Sequence, residues 1–280
     1  MITRGPLKIK KKEIIAKVEC VGCLEKCLKK YGRNIQHLHI KNTTTKIIES
    51  LHMTNQYCEN LVCLKIDLSS SPLIFTISEF ETNFCRLFQN NKKIESLIFE
   101  SFGSINTNYL RYLSPKITKL YLWERLHSMN VQNFTSAFER FSNLREFNYM
   151  TPIMKSTVVE KIASSRTLIK LSLNAMSYED PNSINYLKNL VGLKSLNLHL
   201  NPQLEDSHII TIVNNCKKIE YLNIWGCDNI TDLGIANISK LKQLKYLNII
   251  NLCKVTGREI LCLLRSLQPL RIHVNTNILE

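Results

Sequence analysis

The sequence predicts an α/β solenoid, right-handed, in which short parallel strands alternate with outer helices around one continuous core. Three observations predict it. The pattern apolar-x-x-apolar-x-apolar recurs with leading residues Ile35, Leu61, Ile94, Ile117, Leu144, Leu168, Leu193, Ile219, Leu244 and Leu267. The stretches NPQLEDSHI (201–209), CDNITDLGI (227–235) and LCKVTGREI (252–260) align without gaps, so the segment after each strand repeats as well. Finally, an apolar residue stands three positions before a leading residue: Leu190, Leu241 and Leu264 before Leu193, Leu244 and Leu267.

The strand half of each unit follows from its alternation. Inward positions one, four and six face a shared core, and each unit leaves an apolar edge bare until a neighbour stacks on it. The intervals are 26, 33, 23, 27, 24, 25, 26, 25 and 23 residues, all but one inside the window of about 20 to 29 residues that leucine-rich repeats occupy. In the helical half, Leu204, Ile230 and Val255 share one column, and Ile209, Ile235 and Ile260 another. Asp206 and Asp232 share a third, where a carboxylate can accept free N–H groups at the start of its helix.

Two cysteines eleven positions apart, Cys216 and Cys227, raise the question of a reactive or metal-binding pair. Repeat geometry accounts for both. Cys216 and Cys58 stand in the column three before the leading residue, where sibling repeats have leucine. Cys227 stands at position nine, the column of Asn201, where a small or polar side chain bonds the backbone leaving the strand. In the irregular middle, position nine reads Phe102, Arg125, Pro152 and Met176, and one interval swells to 33, so distortion or insertion is expected over residues 72–160.

The phrases CENLVCLKI, CKKIEYLNIWGCDNITDLGI and LKYLNIINLCKVTGREI resemble the cysteine-containing repeats of the F-box/LRR family, the substrate-receptor subunits of SCF ubiquitin ligases. The resemblance covers roughly residues 33–275 and is most specific over 216–260. It implies a horseshoe with a curved parallel sheet on its concave side, a protein substrate bound there, and docking to a ligase adaptor through an F-box. Nothing in the sequence resembles an F-box, so the adaptor is expected only if one is supplied upstream.

Residues 1–32 read as a basic arm and capping helix, with Ile14, Val18, Val21, Leu24 and Leu28 at helical spacing, and residues 33–280 as about ten repeats. The formal charge of +14 is concentrated at the start. Residues 1–34 hold ten Lys and Arg against Glu13, Glu19 and Glu25, and the remaining excess is spread among both signs. That distribution favours a basic arm over a nucleic-acid groove. No apolar run of membrane-spanning length and no secretory signal is present. The expectation is a cytoplasmic or nuclear protein whose ten cysteines stay reduced.

No chemistry emerges. Cys20, Cys23 and Cys27 form one stripe of the expected helix, but structural zinc takes four ligands, and His37 and His39 belong to the first strand. His208 beside Asp206 falls at a solvated helix start. No nucleophile elbow, phosphate loop or paired-histidine motif occurs, so no enzyme activity, cofactor or metal is expected.

Binding is expected on the outward strand positions. Position seven holds both tryptophans of the chain, Trp123 and Trp225, together with Met150 and His199, while Tyr121 stands at position five and Tyr221 and Tyr246 at position three. Outward positions have no packing need for large rings, and Trp and Tyr are over-represented at binding hot spots. The competing reading is that neighbouring rings stack to stiffen the sheet. Asn197, Asn223 and Asn248 form a further row, expected to bond to one another. Three functions stay open: a protein-recognition module related to ligase substrate selection, a leucine-rich-repeat scaffold or inhibitor, and a basic-armed nucleic-acid factor, which the charge distribution does not favour.

Overall fold

The computed structural model describes residues 8–10, 13–17, 21–41, 46–68, 77–100, 107–123, 130–267 and 271–273. The chain forms two compact units, Met1–Leu144 and Arg145–Glu280.

In the first unit the elements are β1 (Lys8–Lys10), β2 (Glu13–Lys17), α1 (Val21–Tyr31), β3 (His37–Lys41), α2 (Ile47–Tyr57), β4 (Cys63–Asp67), α3 (Ile77–Asn90), β5 (Ser96–Glu100), β6 (Lys119–Trp123) and α4 (Val131–Arg140). A 3-10 segment, Thr107–Tyr112, stands where a helix would precede β6. β2 to β6 run parallel in register, and β1 returns antiparallel on β2. Position four stacks as Leu38, Leu64, Leu97 and Leu120, each at most 1% exposed. The 33-residue interval holds the fourteen-residue α3, whose Phe80, Phe84 and Phe88 pack with Phe99 and Tyr109 at centroid distances of 4.7 to 6.1 Å. A long, fully apolar helix face explains the insertion without any break in strand register.

The second unit holds β7 (Glu146–Met154), α5 (Ser156–Ala163), β8 (Lys170–Tyr178), β9 (Ser195–Asn197), α6 (Asp206–Asn215), β10 (Tyr221–Asn223), α7 (Asp232–Ile238), β11 (Tyr246–Asn248), α8 (Gly257–Ser266) and β12 (Arg271–His273). All six strands are parallel neighbours in chain order. Phe147, Leu171, Leu196, Leu222 and Leu247 form its buried position-four row. β3 to β11 each begin two residues after the leading residue expected from the sequence. This is the leucine-rich-repeat α/β solenoid architecture in both units.

Several expectations are corrected. The helix expected from Ile14 begins only at Val21, because residues 13–17 form a strand whose Ile14 and Ala16 pair in register with Leu38 and Ile40. That adds one parallel strand before the ten anticipated; Val18 and Cys20 lie outside the described residues. The last repeat is misplaced by two. Arg271 pairs with Tyr246, making it position three, and His273 becomes position five. Leu267 instead ends α8 as a buried cap. Pro152 and Met176 sit inside nine-residue strands that outrun their neighbours, while Phe102 and Arg125 lie outside the described residues.

Candidate functional site

Outward residues differ between the units. On the first, the face is charge-paired: Lys41 lies 3.4 Å from Asp67, and Lys65 lies 3.1 Å from Glu100. Tyr121, on β6, carries the Lys119 ammonium 4.7 Å from its ring centre. Two residues on, Trp123 is paired in register with Glu100 and keeps 37% exposure.

On the second unit the face is aromatic. Register places Tyr221 opposite Tyr246 on adjacent parallel strands, where one strand spacing brings two rings to stacking distance. Their centroids are 4.4 Å apart and the planes differ by 2°. Tyr246 then meets His273 at 4.9 Å. Burial, and then the neighbouring Tyr246, raises the Tyr221 hydroxyl above its ordinary range. The Leu267 lead puts His273 at position seven, so only the observed register brings it to Tyr246.

Trp225 lies past the end of β10, in a turn. Asn223 Oδ1 accepts its amide at 3.1 Å, and Gly226 follows with φ +67°. The Trp225 ring is only partly exposed because it stacks on His199, 5.7 Å between centroids and 16° between planes. His199 is held in turn: its Nδ1 lies 2.8 Å from Asn197 Oδ1 and 2.8 Å from Asn174 Nδ2, and Asn174 also donates to the His199 carbonyl. Ser172 donates to Asn174 Oδ1 at 2.9 Å. Burial lowers the His199 pKa. Met150, on β7, is half-buried and paired in register with Asn174.

The asparagine row works differently from expectation. Asn197, Asn223 and Asn248 each turn Oδ1 to the amide two residues ahead in their own chain, at 3.1 to 3.2 Å. A side chain that short reaches its own turn more easily than the next strand. The row shapes the loops that carry His199 and Trp225.

The structure thus brings His199 onto Trp225 and Tyr221 onto Tyr246, and keeps Tyr121 and Trp123 on the other unit. Beside Tyr246 an open cleft of about 750 Å³ is lined by Glu220, Lys242, Gln243, Leu244, Lys245 and Arg271. Among the described residues no group of three or more His, Cys, Asp and Glu side chains is placed to hold a metal ion, and no helix is long and apolar enough to cross a membrane. Cys216 and Cys227 are both fully buried free thiols donating to the Leu187 and Leu198 carbonyls at 3.3 and 3.1 Å. Burial pushes them up to about 11 and about 12. His208, also buried, accepts the Glu205 amide on Nδ1 at 3.0 Å and so closes the start of α6.

No protein-family model matches the chain. Its backbone is similar to a solved Bacteroides fragilis protein, with a TM-score of 0.55, 15% identity, and 77% of this chain and 66% of that one covered. It is also similar to an internalin (inlF) from Listeria monocytogenes, with a TM-score of 0.54, 13% identity, and coverage of 92% and 71%. The chain therefore spans just under two thirds of the first protein's length. At these identities the likeness is one of fold: a leucine-rich-repeat solenoid.

Proposed function

We propose that the chain is a non-enzymatic protein-recognition module that binds its partner on the outward sheet face of Arg145–Glu280. One observation carries the reading. His199, Trp225, Tyr221 and Tyr246 stand on solvent-facing positions, partly exposed and preorganised by stacking, and Tyr246 lines an open cleft. Rigid aromatic residues lose little freedom on binding and supply large contact area, which is how hot spots form. The cleft is open and its wall mixes aliphatic carbon with charge, which suits a polypeptide segment better than a small metabolite.

The resemblance in residues 216–260 supports a finer reading, in which the partner is a substrate selected for ubiquitination and this chain is the recognition half of an SCF-type receptor. Affinity purification of the chain with crosslinking tests both levels. A partner lost on Trp225→Ala, together with a cullin and its adaptor, supports the full reading. A partner lost in the same way without any ligase subunit leaves a leucine-rich-repeat scaffold or inhibitor. A partner bound equally by the alanine variant removes this face from consideration.

A further inference from the structure

Charges in Arg145–Glu280 are sorted by the strand end that they flank. Parallel, register-matched strands put every helix-to-strand turn at one edge of the sheet and every strand-to-helix turn at the other. The segments entering β8 to β11, residues 164–170, 188–195, 215–221 and 239–246, carry nine Lys and Arg against one carboxylate, Glu220. The segments leaving β8, β9 and β10, residues 174–182, 198–207 and 224–233, carry six Asp and Glu and no Lys or Arg. The turn leaving β11 departs from this with Lys254 and Arg258. Charges that look interspersed along the chain are separated by the fold.

Glu220 does not interrupt the basic edge electrically, since Lys194 and Lys245 clamp it at 3.1 and 2.6 Å. Lys217, Lys218 and Lys242 are exposed, and among the described residues none has a carboxylate within 4 Å. Position three is the outward position closest to this edge, so the Tyr221–Tyr246 stack borders it. Tyr246, Lys242, Lys245 and Arg271 share the wall of the 750 Å³ cleft.

We propose that this edge docks an acidic, aromatic-bearing segment of a protein partner, its carboxylates meeting Lys217, Lys242 and Arg271 and an apolar side chain resting in the cleft beside Tyr246. The proposal rests on the protein-recognition reading above and adds the chemistry of the partner. One observation favours a polypeptide over single-stranded nucleic acid. Bases stack on free ring faces, whereas Tyr221 and Tyr246 each give one face to the other and Tyr246 also meets His273.

The test uses the full chain and fluorescence anisotropy with two probes, a labelled peptide of mixed Asp, Glu and Phe and a labelled oligouridine of matched charge. The peptide is expected to bind at low salt and to weaken as salt is raised. Lys217→Glu with Lys242→Glu and Arg271→Glu is expected to weaken it by about tenfold or more, since reversed charges at an interface both remove attraction and add repulsion. Lys254→Glu with Arg258→Glu, on the opposite edge, serves as the control and should change it by less than about twofold. Should the triple variant fold poorly, exposed Lys217→Glu alone is expected to weaken binding by about threefold. Equal binding by wild type and the edge variants overturns the proposal, and so does oligouridine binding tighter than the peptide. A cellular partner released by Trp225→Ala but kept by the triple variant also sinks the acidic segment, while leaving the recognition reading intact.

Discussion

Asp206, the first residue of α6, holds Thr231, the residue that caps the next helix, α7. Oδ1 accepts the Thr231 amide at 2.9 Å and Oδ2 accepts its hydroxyl at 2.5 Å. Asp232 repeats the clasp on Thr256 at 2.7 and 2.9 Å. These carboxylates hold the residue before the following repeat's helix rather than capping their own, so a helix-start carboxylate has become a link between repeats. In a solenoid, where cooperativity runs through nearest neighbours, such a link matters more than a local cap.

The clasp explains a glycine inside a helix. A Cβ on Gly234 would collide with Asp206 Oδ1 and approach Ile230 Cγ2 to 3.1 Å. Asp206→Ala is expected to cost about 1–2 kcal/mol in urea unfolding, the range of lost caps and charge-assisted bonds. Helix propensity alone says that Gly234→Ala gains up to about 1 kcal/mol; the collision reverses the sign. Combining it with Asp206→Ala should recover most of that loss, and additive costs in the double variant would reject the link.

A second series concerns backbone strain. Leu200, Gly226 and Asn251 occupy the eighth position of three successive repeats, and all three have positive φ, +55°, +67° and +56°. Glycine and asparagine visit this region readily; leucine does so at about 1–2 kcal/mol. Leu200 is 47% exposed, so little core packing is lost on replacing it. Leu200→Asn should therefore stabilise by about 0.5–1 kcal/mol. Gly226→Ala should destabilise by more than that, since its Cβ would also push into Leu200 Cδ2 at 2.8 Å. Thermal unfolding of the two variants should shift in opposite directions, and shifts of one sign would remove strain as the cause.

What could be read from the sequence was what recurs. Columns of apolar residues place β3 to β11 because a parallel sheet cannot slip register without exposing its inward row. Cys216 and Cys227 were readable for the same reason, each filling a column. Relations between repeats were not readable. Asp206 was visible as a carboxylate at a helix start, but its partner lies twenty-five residues on, and only stacking brings Thr231 to it. The charge separation of the second unit was hidden likewise, since acids and bases alternate along the chain and part only when parallel strands gather their ends. Trp225 was placed on the correct column, yet its partial burial depends on His199 in the preceding repeat, which no single repeat encodes.

The position-nine column offers a graded test. Asn201 satisfies three buried backbone groups, accepting the Ala175 amide at 3.1 Å and donating to the Leu173 and Leu198 carbonyls at 2.9 and 2.7 Å. Cys227 makes one close bond there, to Leu198 O. Asn201→Ala should cost about 2–4 kcal/mol and Cys227→Ala clearly less, because stranded buried groups lose their full solvation. Cys216→Leu should stay within about 1.5 kcal/mol, while Leu222→Ala should cost about 2–5 kcal/mol. Native-state alkylation read by mass spectrometry should label exposed Cys253 and Cys262 and spare Cys58, Cys216 and Cys227. Rapid labelling of Cys216 in the folded protein would contradict its buried, raised thiol.

Buried and half-buried histidines give the stability a pH dependence with a definite sign. His39, His199 and His208 all have pKa values lowered from 6.5 by burial. A histidine lowered in the folded state binds fewer protons there than in the unfolded chain between the two pKa values. Stability then rises with pH through that window and falls as pH drops below about 6.5. His208 has the strongest geometric stake, because its neutral Nδ1 accepts the Glu205 amide at 3.0 Å and a protonated ring cannot accept. Urea unfolding at pH 7.5 and pH 5.5 should show lower stability at the acid end. His208→Gln keeps an acceptor that does not titrate, so its loss between the two pH values should be smaller than the wild-type loss. An unchanged pH slope in His208→Gln would mean that the α6 start does not titrate, and would leave His39 and His199 to account for the whole effect.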